Sequence, residues 1–189
     1  LHGQTEPEVT THFTGRVRLA AAPAEAEREI VDPRPGAAPK VGAAEIYRVF
    51  FHGPAYQVID TAWRSGDRVI GLFKKDLQAD RVPAEAPLAA LPRLVELCFQ
   101  TGSLAALGLH GRLGLPHSVR DVRFPSVPDD ASDAMFYAIA VPNADGTYDA
   151  RVVDDKGWVY VDLRGYRTMD LPDPVPADLV DPIRRALGA

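Results

Sequence analysis

The sequence has one cysteine, two methionines and no long apolar run among its 189 residues. The single thiol, Cys98, excludes an internal disulfide and fits a reducing cytoplasm, and its neighbours Leu97 and Phe99 indicate a core position rather than a nucleophile. No run of about 18 apolar residues is present, so no membrane-spanning helix is expected. We therefore expect a cytoplasmic location and no membrane partner.

Basic clusters, a leader segment and metal-binding spacings are also missing. Without a basic face, the net charge of -5 argues against nucleic acid as a partner. The first ten residues, LHGQTEPEVT, are polar and lack the basic start and apolar centre of a signal peptide. The five histidines show neither Cys/His nor HExxH spacing, which predicts no metal site. The missing initiator methionine suggests a piece of a longer protein.

The composition, 46% hydrophobic and 25% charged, is typical of one globular domain or of one domain with an arm. Residues His12 to Leu19 alternate apolar and polar side chains, which predicts an early strand. The stretch from Ala20 to Lys40 is rich in Ala, Pro, Glu and Arg, and we interpret it as a mobile connector. This connector is the best candidate for a domain boundary.

The rest of the chain predicts one long helix among antiparallel strands. The predicted elements are a short helix (Ala43 to Phe51), a hairpin (Tyr56 to Trp63 and Arg68 to Lys74), a loop (Asp76 to Leu88), a long helix (Leu91 to Leu109), four strands (Ser118 to Phe124, Met135 to Val141, Tyr148 to Asp154, Trp158 to Met169) and a tail from Leu171 with one short helix.

The predicted long helix is apolar on nearly every side, and such a helix is buried. One curved antiparallel sheet wrapped around it is the simplest way to hide all its faces. The predicted class is therefore α+β, in the layout of a hot-dog fold with one long central helix. Its apolar residues are Leu91, Leu94, Val95, Leu97, Cys98, Phe99, Leu104, Ala105, Ala106 and Leu107.

Glu96 lies at the centre of this helix, with the amide of Gln100 one turn later on the same face. An ionised carboxylate is costly to bury, so it must reach solvent, pair, or stay neutral where its proton is used. An apolar wall can raise the pKa of a glutamate toward working pH, which suits general acid or base chemistry. The alternative, a glutamate on a solvated helix face, stays open at this point.

Four segments, in order, carry a resemblance to one family. YRVFFHGPAYQ, from Tyr47 to Gln57, resembles a tyrosine followed by Gly-Pro-aromatic-Gln in the dehydratase domains of modular and iterative polyketide synthases. LPRLVELCFQ resembles the helix motif of that family, in which an acidic residue is followed one turn later by Gln or His. LGLPHSVRDVRF and DDKGWVYVDLRGY are similar to its next strand and its closing hairpin, so the resemblance runs as far as Leu171.

Dehydratases of this family are double hot dogs, in which the N-terminal half supplies a catalytic histidine and the C-terminal half supplies the acid. The resemblance implies that this chain is the C-terminal half. It divides the chain into the final strand of a preceding half (1–22), a Pro-rich linker (23–42), the hot-dog domain (43–171) and a tail (172–189).

The resemblance implies an enzyme that dehydrates a 3-hydroxyacyl group carried on the phosphopantetheine arm of an acyl carrier protein, with no other cofactor. Glu96 takes the acid position and Gln100 that of its orienting amide. The family's histidine motif is absent from these residues, so the base is expected upstream of Leu1. The substrate-binding positions implied are Tyr47, Phe51, Gly53, Pro54 and Tyr56.

Glu96 departs from the aspartate usual in the modular family and fits the iterative branch, which includes synthases for enediynes and polyunsaturated fatty acids. The expected partners are the carrier protein, the N-terminal half and a second copy, because an isolated half exposes a strand edge. We interpret His52 as an exposed turn histidine. Two alternatives stay open: a non-catalytic hot-dog or dimerisation module, and a hot-dog thioesterase or acyl-binding domain whose helix carboxylate activates water.

Overall fold

The computed structural model of the chain describes residues 10–22, 24–30, 32–79, 90–126 and 134–188. Its strands are β1 (Lys40–Gly42), β2 (Ile59–Ser65), β3 (Arg68–Phe73), β4 (Gly114–Ser118), β5 (Asp121–Arg123), β6 (Phe136–Pro142), β7 (Tyr148–Asp154) and β8 (Val159–Asp170). Its helices are α1 (Ala43–Ile46), α2 (Ala90–His110) and α3 (Ala177–Leu187), and a 3-10 turn spans Pro54–Tyr56.

All strand pairs in the curved sheet are antiparallel, in the order β1-β2-β3-β6-β7-β8-β4. β5 shares the far edge of β8 with β4. Each hairpin joins strands that are neighbours in the chain, so β2 to β3, β6 to β7 and β7 to β8 need only short turns. The predicted α+β class, with one long helix against one antiparallel sheet, is confirmed.

Helix α2 packs across the sheet, against β3, β6, β7 and β8. Between residues 94 and 108 only Val95, Glu96 and Phe99 are partly exposed, and every other residue is buried. Gly71 lets the helix approach β3 closely, because a Cβ there would lie 2.4 Å from the Thr101 hydroxyl. The only opening in the buried stretch is thus the narrow face that carries Glu96.

The C-terminal end of α2 follows ordinary capping chemistry. Gly111 adopts a φ of 68° and donates its N–H to the carbonyl of Leu107 at 2.8 Å, a left-handed C-terminal cap that glycine adopts without strain. The tail adds the short helix predicted there, α3, which packs Leu187 against Gly108 of α2. Among the described residues, the helices are too short or too polar to cross a bilayer.

The single strand predicted from Ser118 to Phe124 is wrong, because the chain forms two short strands, β4 and β5, on either side of Val119 and Arg120. The break matches a bend in β8, where Gly165 has a φ of 65° between the residues that pair with β5 and those that pair with β4. Residues 80–88 of the predicted loop from Asp76 to Leu88 lie outside the described residues.

The early strand predicted from His12 to Leu19 does not form in this structure. Residues 10–20 pair with no other strand, and Phe13, Val17 and Leu19 are 90%, 86% and 89% exposed. An extended segment becomes a strand only when a neighbour satisfies its backbone groups, and no described strand lies beside it. Its assignment to a preceding half stays a prediction, and residues 1–9 lie outside the described residues.

The connector predicted from Ala20 to Lys40 is not free of the sheet along its whole length. Residues 24–30 pack on the sheet: the Glu29 N–H donates to the Gly157 carbonyl at 2.8 Å, and the Arg28 guanidinium lies 5.0 Å from the Trp158 ring centre. Glu29 also pairs with Arg151 at 3.3 Å. Charge pairing and single bridges, Ala24 with Pro125 and Arg28 with Trp158, hold the segment without a regular ladder. The linker boundaries at 23 and 42 stay predictions.

Candidate active site

A small cavity lies between α2, the segment that follows α1, and the start of β4. Its volume is about 40 Å³, room for a few water molecules. Glu96 and Gln100 line it from α2, so the two polar residues singled out in the helix face the same space. The remaining lining residues are Phe50, Phe51, His52, Phe99, Ser103, Leu113, Gly114, Leu115, Pro116 and Tyr166.

A chain of hydrogen bonds fixes Gln100 beside Glu96. The Ile59 N–H donates to the Tyr47 hydroxyl at 2.8 Å, and that hydroxyl donates to Gln100 Oε1 at 2.8 Å. Gln100 Nε2 donates to the Tyr56 carbonyl at 2.8 Å and to Glu96 Oε1 at 2.9 Å. Because the tyrosine donates to one end of the amide and two acceptors meet the other, the amide can point in only one direction.

Tyr47 acts in this network as a neutral hydroxyl. Burial raises the pKa of its phenol well above the usual value, and the negative charge of Glu96 raises it further, while the hydrogen bond from Ile59 opposes both. The proton that Tyr47 donates to Gln100 therefore stays in place across the physiological range. Tyr47 reaches Glu96 through the amide, and it does not line the cavity.

His52 is a member of the site that sequence reasoning missed. Its Nε2 lies 3.0 Å from Glu96 Oε1, and the side chains of both residues are 23% exposed. The ring stacks on Phe51, with the ring centres 5.3 Å apart, and is flanked by Phe50 at 5.7 Å. The interpretation as a solvent-exposed turn histidine is wrong, because the turn folds back over α2 instead of pointing outward.

The predicted substrate-binding positions divide into two groups. Phe51 lines the cavity mouth and is 73% exposed, and Tyr56 contributes its carbonyl to Gln100. Gly53 precedes the 3-10 turn and Pro54 begins it, and neither lines the cavity. A Cβ at Gly53 would meet nothing within 4 Å in the described chain.

The part of the cavity lining formed by Phe99, Ser103 and Tyr166 is apolar with one polar pair. Phe99 packs on Tyr166, with ring centres 4.9 Å apart, and the Tyr166 hydroxyl lies 3.2 Å from Ser103 Oγ. Burial raises the pKa of Tyr166 to about 12, so this hydroxyl is also neutral. Such a wall suits a hydrocarbon chain that carries few polar groups.

Other chemistry is not built into the described ranges. Cys98 is fully buried and burial raises the pKa of its thiol, which confirms the core position predicted for it and makes it a poor nucleophile. No three His, Cys, Asp or Glu side chains among the described residues come together in a way that could hold a metal ion. The carboxyl of Glu96, with its nitrogen donors, is the group that the cavity presents.

Residues 22–178 match the family model described as polyketide synthase dehydratase N-terminal domain. Polyketide synthase ThaG of Burkholderia thailandensis is 32% identical over 163 residues, which is 81% of this chain and 3% of ThaG. The matched family description names an N-terminal domain, so assignment of this chain to the C-terminal half of a dehydratase stays a prediction.

Solved dehydratase domains share the fold. The dehydratase domain of the CurF module of curacin polyketide synthase superposes with a TM-score of 0.54 at 22% identity, over 71% of this chain and 48% of that one. A trans-AT polyketide synthase dehydratase domain from Brevibacillus brevis gives a TM-score of 0.58 at 15% identity, over 79% of this chain and 55% of that one. The chain thus spans about half the length of these domains.

Proposed function

The chain belongs to the polyketide synthase dehydratase family, and we propose that it supplies the acid half of a lyase that converts 3-hydroxyacyl groups on an acyl carrier protein into enoyl groups. The proposal rests on one observation above all. Glu96, the one carboxylate of α2, lies at a cavity with a largely apolar lining and is held there by Gln100 and His52. A carboxyl that only had to be solvated would need none of these partners.

The chemistry needs two groups of opposite role. Loss of water from a 3-hydroxyacyl thioester breaks the Cα–H and Cβ–O bonds and forms the Cα–Cβ double bond. A base takes the α-proton, and a protonated Glu96 gives its proton to the hydroxyl that leaves as water. Glu96 finishes the step as a carboxylate, and proton return from the base through solvent restores it.

The base and the acyl channel are proposed to come from a second half that carries the family's histidine. The cavity supports this division, because about 40 Å³ is far below the roughly 300 Å³ at which small-molecule pockets begin. An acyl chain and a phosphopantetheine arm need walls that the described elements do not supply. A second copy of the domain and the carrier protein are the further partners proposed, and the glutamate supports placement in the iterative branch, including enediyne synthases.

Replacement of Glu96 by Gln tests the acid role. Glu96→Gln keeps the size of the side chain and removes the proton, so we expect dehydration to fall by roughly 10²–10⁴-fold with the fold intact. The measurement is the rate of enoyl thioester formation from a carrier-bound 3-hydroxyacyl substrate, in the complete dehydratase that contains both halves. Circular dichroism of the variant checks that it folds.

The matched control is Glu45→Gln, the same change on α1, where the carboxylate is away from the cavity. It should leave the rate unchanged. If the Glu96→Gln variant forms enoyl product at the wild-type rate, Glu96 has no part in the mechanism. Free acid in place of enoyl product would show a thioesterase, and a folded wild-type dehydratase with no turnover of any 3-hydroxyacyl chain would show a non-catalytic module.

A further inference from the structure

The contact between His52 and Glu96 has no place in the dehydration scheme above. The imidazole is fixed by Phe51 on one face and Phe50 near its edge, so its 3.0 Å approach to Glu96 Oε1 is set by packing. The ring has been brought to the one carboxyl that lines the cavity.

The surroundings of the ring select one tautomer. His52 Nδ1 is buried, and no described protein group is within hydrogen-bond reach of it. A proton on Nδ1 would be a buried donor without an acceptor, whereas an unprotonated Nδ1 is an unpaired acceptor, which costs less free energy. The favoured neutral ring therefore carries its proton on Nε2 and donates it to Glu96.

Glu96 Oε1 then accepts two N–H groups, one from His52 and one from Gln100 at 2.9 Å. Among the described residues these bonds involve Oε1 alone, which leaves Oε2 as the oxygen that carries the proton to be given away. Both bonds change in strength when that proton leaves, because hydrogen bonds to an ionised carboxylate are roughly twice as strong as those between neutral groups.

We propose that His52 is a positioning residue for Glu96: with Gln100 it holds Oε1, presents Oε2 to the substrate hydroxyl, and stabilises the carboxylate that forms as water departs. This inference rests on the proposed function and deepens it. The His52 bond strengthens between the bound substrate and the transition state, so its loss lowers kcat and leaves KM nearly unchanged. A purely structural role would not lower kcat while leaving KM unchanged.

Two substitutions test the hydrogen-bond donor of His52 separately from the stacking of its ring. His52→Phe keeps the stacking on Phe51 and removes the donor, and we expect a roughly 10- to 100-fold loss in kcat at constant KM, the range for a charge-assisted hydrogen bond. His52→Gln restores an N–H and should stay within about fivefold of wild type. The control is His110→Phe, an exposed histidine at the far end of α2, which should leave both constants unchanged.

A second measurement does not depend on turnover. ¹⁵N NMR of histidine-labelled chain should show His52 with its proton on Nε2, and Glu96→Gln should shift that nitrogen while His110 stays unaffected. A proton on Nδ1, an Nε2 signal indifferent to Glu96→Gln, or His52→Phe with wild-type kcat would each overturn the proposal. If the Nε2 signal of His52 responds to Glu96→Gln but the wild-type dehydratase forms no enoyl product, the proposed dehydratase function is wrong while the His52–Glu96 contact is supported.

Discussion

Tyr47 connects the candidate site to the core, and its hydroxyl is the atom to remove first. In Tyr47→Phe, the Ile59 N–H loses the acceptor that it meets at 2.8 Å, and Gln100 Oε1 loses the donor that it meets at 2.8 Å. Ile59 is 0% and Gln100 2% exposed, so water cannot replace the missing hydroxyl without entering the core.

The magnitude follows from these two orphaned groups. Each unsatisfied buried polar group costs about 1–3 kcal/mol, with an N–H at the upper end and a carbonyl oxygen at the lower. The variant should therefore lose about 2–4 kcal/mol of unfolding free energy, a large part of the roughly 5–15 kcal/mol typical of a domain. Activity should fall less than in Glu96→Gln, because Gln100 Nε2 keeps the Tyr56 carbonyl and Glu96 as acceptors.

Urea unfolding followed by circular dichroism measures the loss, with the slope checked for two-state behaviour. The matched control is Tyr137→Phe, also buried at 4% exposure, whose hydroxyl has the Met135 sulfur at 3.9 Å as its partner among the described residues. That variant should cost less than about 1 kcal/mol because a thioether is a weak acceptor. If Tyr47→Phe costs no more than Tyr137→Phe, the hydroxyl does not carry the network and the reasoning is refuted.

Two further predictions concern stability. Burial raises the pKa of Tyr166 to about 12 from 10.0, so the folded chain keeps a proton that the unfolded chain releases. Stability is therefore complete below pH 10 and falls as the pH rises from 10 to 12, by up to about 1.4 kcal/mol per pH unit, and Tyr166→Phe should remove this fall. Urea unfolding across pH 10 to 12 measures both slopes, and an unchanged slope in the variant would contradict the shift. The Asp162 side chain is 0% exposed and accepts from Arg151 Nε at 3.0 Å and Arg164 Nε at 2.8 Å, so Asp162→Asn should lower the free energy of unfolding in urea by about 3 kcal/mol. The control Asp178→Asn, at a side chain that is 74% exposed, should lower it by almost nothing. Equal losses in the two variants would count against the network.

Patterns that depend on one element could be predicted from the sequence. The apolar run around α2 predicted a buried helix, and the spacing of Glu96 and Gln100 placed both on one face, where the structure shows them bonded at 2.9 Å. The turn residues of the β6–β7–β8 hairpins likewise gave strands within a residue or two of those observed. Local periodicity is enough here because helix and hairpin geometry relate residues only a few positions apart.

Contacts between distant segments were decided by tertiary structure. His52 and Glu96 are 44 positions apart, and the residues around His52 pointed to the substrate site without indicating that its ring meets Glu96. Residues 24–30 likewise look like a free connector until the arginines of the sheet, such as Arg151, offer partners to Glu29. A sequence pattern predicts which side of its own helix or strand a residue occupies. The residue that it contacts on another element depends on how the elements pack together. The amino-acid sequence thus determined the buried helix and its carboxyl, and the packing of the chain determined the histidine that meets it.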